Sequence, residues 1–232
     1  MKIVGVVQSR EDYCKTQIKR SRQKFRFCKV SMSGVLRWRE LINKDYGKNL
    51  EGPILCLGTR NGREVDLFRE AFFGNPMRRS LIKLLERRRY GFSSRYSFIE
   101  SLGRSNVNNI DESSVVGAEI NPDSSRRDTY VGSFDELPLE WTNKFKIVFS
   151  NSFDHSHDPY RTAKEWSRVI SPGGYFIINY SGESAKPSLT DPVGDICLED
   201  VTNLFTGELI YFTKFGFNYK EAIIKRSFHE GF

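Results

Sequence analysis

The stretch "ILCLGTRNGREV", Ile54 to Val65, carries a continuous apolar run into two glycines, Gly58 and Gly62, and then into residues that suit a helix. An unbroken apolar run reads as a parallel strand covered on both faces. A strand that turns sharply into a helix exposes free backbone N–H groups and the positive end of the helix dipole, so the turn can seat a phosphate or a carboxylate. The spacing Gly58-Thr-Arg-Asn-Gly62 is not the G-x-G-x-x-G of dinucleotide turns. Taken alone, two glycines mark a turn and little more.

Outward from this stretch the same kind of run recurs. "VVGA" precedes Glu119, "KIVFS" precedes Asn151 and "YFIIN" precedes Tyr180. Helical segments fall between the runs: "GREVDLFREAFF" after the first, and "PYRTAKEWSRVI" before "SPGG", whose glycine closes the last turn. Alternating strands and helices predict a doubly wound α/β sheet with its ligand crevice at the carboxyl ends of the strands. The polar residues ending each run therefore converge. Upstream, "VLRWRELINKDY" (Val35 to Tyr46) is periodic with a helix and stops at Gly47, whereas 10–30 is cation-rich with little apolar periodicity and reads as an arm or loosely packed cap. Near the end, Leu209, Phe212 and Phe215 have near-helical spacing with Gly216 as a stop, and "EAIIKR" reads as a final strand.

Composition bounds the class. The 232 residues suffice for one sizeable core. A mean hydropathy of −0.49 and the shortness of every apolar run argue against a membrane span, and the N-terminal run is too brief for a signal-peptide core. Four scattered cysteines, Cys14, Cys28, Cys56 and Cys197, form no C-x-x-C pair, and a reducing cytoplasm is the expected setting. Charge is unevenly spread: residues 1–50 carry net +9 and 69–104 net +6, so that against +7 overall the rest carries −8. Two basic segments attached to an acidic body can attract phosphates or other anions, or can simply be solvated.

Glu119 lies 61 positions after Gly58, where a compact nucleotide fold places its acid about 20 beyond the glycine turn; the excess, about 74–111, reads as a basic insertion, helical over "RRSLIKLLERRR". A carboxylate there can accept hydrogen bonds from both ribose hydroxyls of an adenosine. In "GSFDELP", Phe134 can cover an adenine face while its neighbours meet the exocyclic amine. In "NSFDHSHDP", His155 with Asp154 nearby sits just past the third run, and an imidazole of ordinary pKa near ~6.5 suits a general base. Asp154, His155, His157 and Asp158 are all metal-ligand types, but four adjacent ligands in one bend rarely point at one ion, and no metal is expected.

The succession "ILCLGTRNG", "VVGAEINP", "GSFDELP", "FKIVFSNSFDHSHDP", "EWSRVISPGGYFII" resembles the class I S-adenosylmethionine-dependent methyltransferases over about Pro53 to Tyr180, in particular the broad methyltransferase domain group acting on small molecules. The resemblance implies a Rossmann-like, mostly parallel seven-stranded sheet with helices on both faces, spanning 51–226. A basic arm or cap (1–50) would precede it and a short tail (227–232) follow. It implies S-adenosyl-L-methionine as cofactor, held by Gly58, Thr59, Arg60 and Gly62, by Glu119 at the ribose, by Ser133 and Phe134 at the adenine, and by Asn151 at the floor. Departures are Cys56 where the group usually has an acid, Arg60 for its middle glycine, Ser133 for its common aspartate, and Lys146. The implied activity is methyl transfer to oxygen or nitrogen of a small or conjugated acceptor, an anionic one included. Base methylators are disfavoured because neither an "NPPY"-type motif nor a "PC" nucleophile follows the "KIVFS" strand. The alternatives are methylation of RNA or another polyanion through the basic segments, and a methyltransferase-like scaffold without catalysis.

Overall fold

The computed structural model describes residues 1–3, 9–25, 28–87, 105–182, 185–215 and 219–227. The three runs VVGAE, ILCL and FKIVFS become adjacent parallel strands: β2 (Ile54–Leu57) lies between β3 (Val115–Glu119) and β5 (Phe145–Ser150). Register places Leu57 beside both Ala118 and Ser150, so the three strands end level with one another. β4 (Thr129–Val131) extends this parallel set on one side and β6 (Ile170–Ser181) on the other. Two antiparallel strands, β9 (Tyr219–Arg226) and then β8 (Gly207–Phe215), complete the seven-stranded order β4-β3-β2-β5-β6-β9-β8. A separate pair joins β1 (Lys2–Ile3) to β7 (Val193–Gly194).

Alternation along β2 divides the core. Ile54 and Cys56 face α2 (Met32–Tyr46) and α3 (Arg63–Phe73), packing with Trp38, Ile42 and Phe68; Leu55 and Leu57 face α5 (Pro159–Val169) and α6 (Leu198–Leu204), packing with Trp166 and Phe205. Both faces are dry, as the continuous apolar runs require. Helix α2 ends at Gly47 in the left-handed conformation, and α5 starts at Asp158, whose carboxylate accepts from the Tyr160 and Arg161 N–H groups.

Three expectations need correction. Residues 10–23 form a regular helix, α1, not a loose arm; its buried stripe, Tyr13, Gln17 and Ser21, is polar-edged and so leaves no apolar periodicity to read. "GELIYFTKF" is strand β8, and a register shift between Leu209 and Tyr211 breaks the alternation that would have marked it. Gly216 lies outside the described residues. "SPGG" does not cap α5: the helix closes at Ile170 and the glycines lie within β6, where the pairing with β5 shifts register. Within the basic segment, α4 (Pro76–Arg87) packs on α2 and α3, burying Ile82 and accepting the Met32 N–H on Glu86 at 2.7 Å. Residues 88–104 of that segment fall outside the described residues.

Beneath the glycine turn lies a buried ionic network. Arg126 pairs with Asp66 (2.7 Å) and Asp128 (2.9 Å) and donates to the Asn61 carbonyl (3.1 Å), while Arg69 bridges the same two carboxylates. Its guanidinium sits where a Cβ on Gly62 would be, 2.4 Å away, so Gly62 must be glycine both for space and for its φ of 74°. Removing one partner of a buried pair strands the rest. Arg126→Ala is expected to destabilise the fold by about 3 kcal/mol, read from the urea midpoint at constant m-value.

Candidate active site

The turn after β2 is held by the strand next to it. The Gly58 N–H donates to the Ala118 carbonyl (2.9 Å), and the Arg60 N–H donates to Glu119 Oε2 (2.8 Å). Gly58 has φ 72°, and a Cβ there would meet Ser152 Oγ at 2.5 Å, so the turn and the end of β5 approach as closely as glycine allows. Arg60 itself adopts φ 51°, an uncommon conformation for a side-chain-bearing residue. The end of β2 and the end of β3 are thus joined through one carboxylate.

A cleft opens over these strand ends, lined by Gly58, Arg60, Glu119, Ser133, Phe134 and His155 from the expected set. Asp135, Ser152 and, from α1, Tyr13, Gln17, Arg20 and Ser21 complete it. Thr59, Gly62 and Asn151 are not on its wall. Thr59 is 1% exposed and packs under the turn against Gly117; Gly62 faces the Arg126 network; Asn151 sits at the end of β5 and accepts from Ser152 Oγ (3.1 Å). The Phe134 ring stands edge-on to Trp166 at 5.5 Å, so it serves core and cleft together. Beside it is a carboxylate the sequence reading did not single out: Asp135, 8% exposed, accepts from Thr162 Oγ1 and has its pKa raised by burial. Its position next to Phe134 was the available signal.

The α1 residues were also missed. Ser21 Oγ donates to Glu119 Oε1 (3.0 Å), and the Asn121 N–H reaches the same oxygen (3.2 Å). Gln17 Nε2 donates to the Thr190 carbonyl (2.9 Å), Arg20 pairs with Asp191 (2.7 Å), Arg22 with Asp123 (2.8 Å) and Arg10 with Glu136. Three cations of the first basic segment, Arg10, Arg20 and Arg22, are therefore matched with acids of the body. With α1 seated, the space inside this cleft is about 50 Å³, room for a few waters.

His155 is oriented by a different acid from the one expected. Its Nδ1 lies 2.9 Å from Asp191 Oδ1 and 3.0 Å from the Thr190 carbonyl. Both are acceptors, so Nδ1 carries the proton and Nε2 keeps the lone pair in the neutral ring. Asp154, the sequence neighbour, is 4.0 Å from Nε2 and accepts instead from Ser181 Oγ (3.0 Å), leaving its buried Oδ1 without a hydrogen-bond partner. His157 packs on the Tyr13 ring (5.0 Å) and Asp158 caps α5, so the four ligand types in this bend diverge. Asp154, His155 and Asp191 do approach within 4.8 Å of one another, with the Arg20 guanidinium already on Asp191.

Residues 91–178 match the family model described as a methyltransferase domain. No curated protein matches the sequence. Among solved structures, 1,6-didemethyltoxoflavin-N1-methyltransferase of Burkholderia thailandensis, with bound S-adenosylhomocysteine, superposes with TM-score 0.60 at 11% identity over 97% of this chain and 94% of that one. A chain of the complex between the Haloferax volcanii Trm112 methyltransferase activator and a methyltransferase gives 0.51 at 14% identity, over 97% and 100%. The trans-methyltransferase CalH, with S-adenosylhomocysteine, gives 0.52 at 14%, over 82% and 55%. The chain has the fold of these methyltransferases, and part of it, residues 91–178, matches the methyltransferase domain. The strand ends that face the cleft are those of its parallel half, β4 to β5, and no helix among the described residues is long and apolar enough to cross a membrane.

Asp191 is partly buried, which raises its pKa, yet the His155 hydrogen bond and the His155 and Arg20 charges hold it well below the usual range. A depressed carboxyl stabilises only while ionised, so its contribution is whole above about pH 4 and fades as pH falls below that. Asp191→Ala is expected to loosen α1 by about 1–2 kcal/mol. Limited proteolysis at pH 7 should then cut within residues 10–24 while the sheet stays intact, and in the unaltered protein the same segment should become more easily cut, progressively, as pH falls below about 4.

Proposed function

We propose that this protein is a methyltransferase that uses S-adenosyl-L-methionine to methylate an oxygen or nitrogen of a small or conjugated acceptor. The observation that carries the reading is the Glu119 carboxylate: one oxygen accepts the Arg60 N–H of the glycine turn, and the other already accepts a hydroxyl, that of Ser21. A ribose hydroxyl asks for the same bond. A carboxylate offers about four lone-pair sites and three donors are in place, so a ribose that engages both oxygens displaces Ser21 and moves α1 outward.

The bound cofactor would supply a methyl group already activated on a sulfonium, so the protein's share is alignment and proton handling. Phe134 offers an aromatic face and Asp135 an acceptor to the adenine side; the turn from Gly58 to Gly62 offers N–H groups at the start of α3. His155, its Nδ1 fixed by Asp191 and Thr190, presents Nε2 as the base for an acceptor that must lose a proton. A small acceptor is favoured because α1 and the loop carrying Asp191 roof this nitrogen. It is also favoured because Arg10, Arg20 and Arg22 are engaged with Glu136, Asp191 and Asp123 rather than presented to a polyanion. The Burkholderia neighbour is, by its own description, an N1-methyltransferase with 1,6-didemethyltoxoflavin bound.

Calorimetric titration with S-adenosylhomocysteine should show one site, and Glu119→Ala should weaken it by about 30-fold or more, the loss of charge-assisted hydrogen bonds. His155→Asn should leave that affinity unchanged and lower methyl transfer by about 10²–10⁴ for a proton-bearing acceptor. Transfer of labelled methyl to a fraction of cell extract provides the assay; an inert titration at millimolar ligand would overturn the reading.

A further inference from the structure

Glu64 is a second carboxylate at the strand ends, and nothing in the reading above uses it. It stands in the first turn of α3, two residues past Gly62, and is 4% exposed. Its Oε2 makes no hydrogen bond. Burial pushes the carboxyl up to about 7, against the pull of its own backbone N–H, the Cys28 thiol, the Arg60 charge and the Asn151 amide. An unmet, buried carboxylate oxygen is costly to keep, by about 1–3 kcal/mol for an ordinary polar group and more for a charged one. Such a group in a native fold calls for an explanation.

Its surroundings say what it could receive. Arg60 comes from the glycine turn and Asn151 follows β5, so Glu64 lies between two of the strand ends on which the cleft is built. Beneath it, at the third position of β2, is Cys56, wholly buried, its thiol pushed well above the ordinary range. The remaining titratable neighbours, Cys28 and Tyr219 on β9, are also shifted upward by burial. The cation acting on Glu64 is Arg60; Arg63 acts with Glu64 on Cys28, and Asp154 and Glu221 act with it on Tyr219. A buried carboxyl of this kind is completed by a cationic N–H donor, since a charge-assisted bond both satisfies the open oxygen and favours the ionised form.

We propose that Glu64 receives the cationic amino group at the amino-acid end of the bound cofactor. This rests on the S-adenosylmethionine reading and assigns a residue to the half of the ligand that the Glu119 side does not touch. The glycine turn then works as a divider: the ribose lies against Glu119, which the turn binds through Arg60 N–H, and the ammonium lies against Glu64, which the turn leads into as α3 begins. Cys56, in the middle of β2, has no charge to offer at this end, and a glutamate eight residues later supplies it from the helix.

Two ligands separate the halves. S-adenosylhomocysteine carries the amino-acid end, and 5′-methylthioadenosine lacks it. Titrated into the full chain, Glu64→Gln is expected to weaken S-adenosylhomocysteine by about 10–100-fold and to change methylthioadenosine by less than about twofold. The unaltered protein should lose S-adenosylhomocysteine affinity as pH falls from 8 to 6, because Glu64 takes up a proton, while the Gln variant shows a flatter profile. Glu64→Asp, which keeps the charge on a shorter stem, should retain that pH response. A thermal melt at pH 8 checks the fold: a carboxyl whose folded pKa is raised costs stability as pH rises through it, so Glu64→Gln should melt no lower than the parent. If both ligands bind and Glu64→Gln binds S-adenosylhomocysteine as tightly as the parent, this assignment is wrong and the cofactor reading stands. Equal weakening of both ligands would make Glu64 a structural support and likewise overturn it. If neither ligand binds the parent, both readings fall.

Discussion

A single carboxylate holds the site together. Glu119 ends β3, and its side chain reaches sideways to the backbone N–H of Arg60, which belongs to the turn that ends β2. That bond is possible because the two strands are in register, Leu57 beside Ala118, so that their ends are level. It also requires the turn to double back through two left-handed glycines and Arg60. Below the turn, Arg126 holds Asn61 and the buried aspartates of α3 and the β4 approach. The turn is thus fixed from the cleft side by an anion and from the core side by a cation.

The helix over the cleft follows from charge as much as from packing. Residues 1–50 are strongly basic and the body is acidic, and the structure shows where the two meet: Arg10 on Glu136, Arg20 on Asp191 and Arg22 on Asp123. Several of these pairs are exposed, and such pairs contribute little individually. The more buried contacts, Ser21 on Glu119 and Gln17 on Thr190, set the register of α1 on the cleft. Ser21 occupies an oxygen of the carboxylate that the proposed ribose contact needs, so on that proposal ligand entry and movement of α1 would be coupled by competition for the same oxygen. The loop that anchors α1 through Thr190 and Asp191 also orients His155, so the imidazole and the roof share one support.

The parts of the site that the sequence displayed are those fixed by chain neighbours. A strand running into a glycine turn, an acid at the end of the next strand and an aromatic in a short turn each announce themselves within a few residues. The structure brings Gly58, Arg60, Glu119, Ser133, Phe134 and His155 to one cleft. Thr59, Gly62 and Asn151 share the same segments without lining this cleft, because a turn has two sides and local spacing does not say which side faces it. Asp154 was paired with His155 by adjacency, yet a one-residue neighbour in a tight bend diverges, and the imidazole finds Asp191 36 positions away.

Sequence alone determined the doubly wound sheet, since runs such as ILCL and FKIVFS can be stable only where helices cover both faces, and it determined where those runs end. Tertiary structure decided what stands over them. The stripe Tyr13, Gln17, Ser21 has no apolar period because it packs on polar strand ends, and β8 hides its alternation behind a shift in register. Likewise Glu64 reads as an ordinary helix-starting acid until the fold buries it against Asn151 and Arg60. Local pattern records which residues avoid water; which polar groups are forced together without it depends on segments distant in the chain.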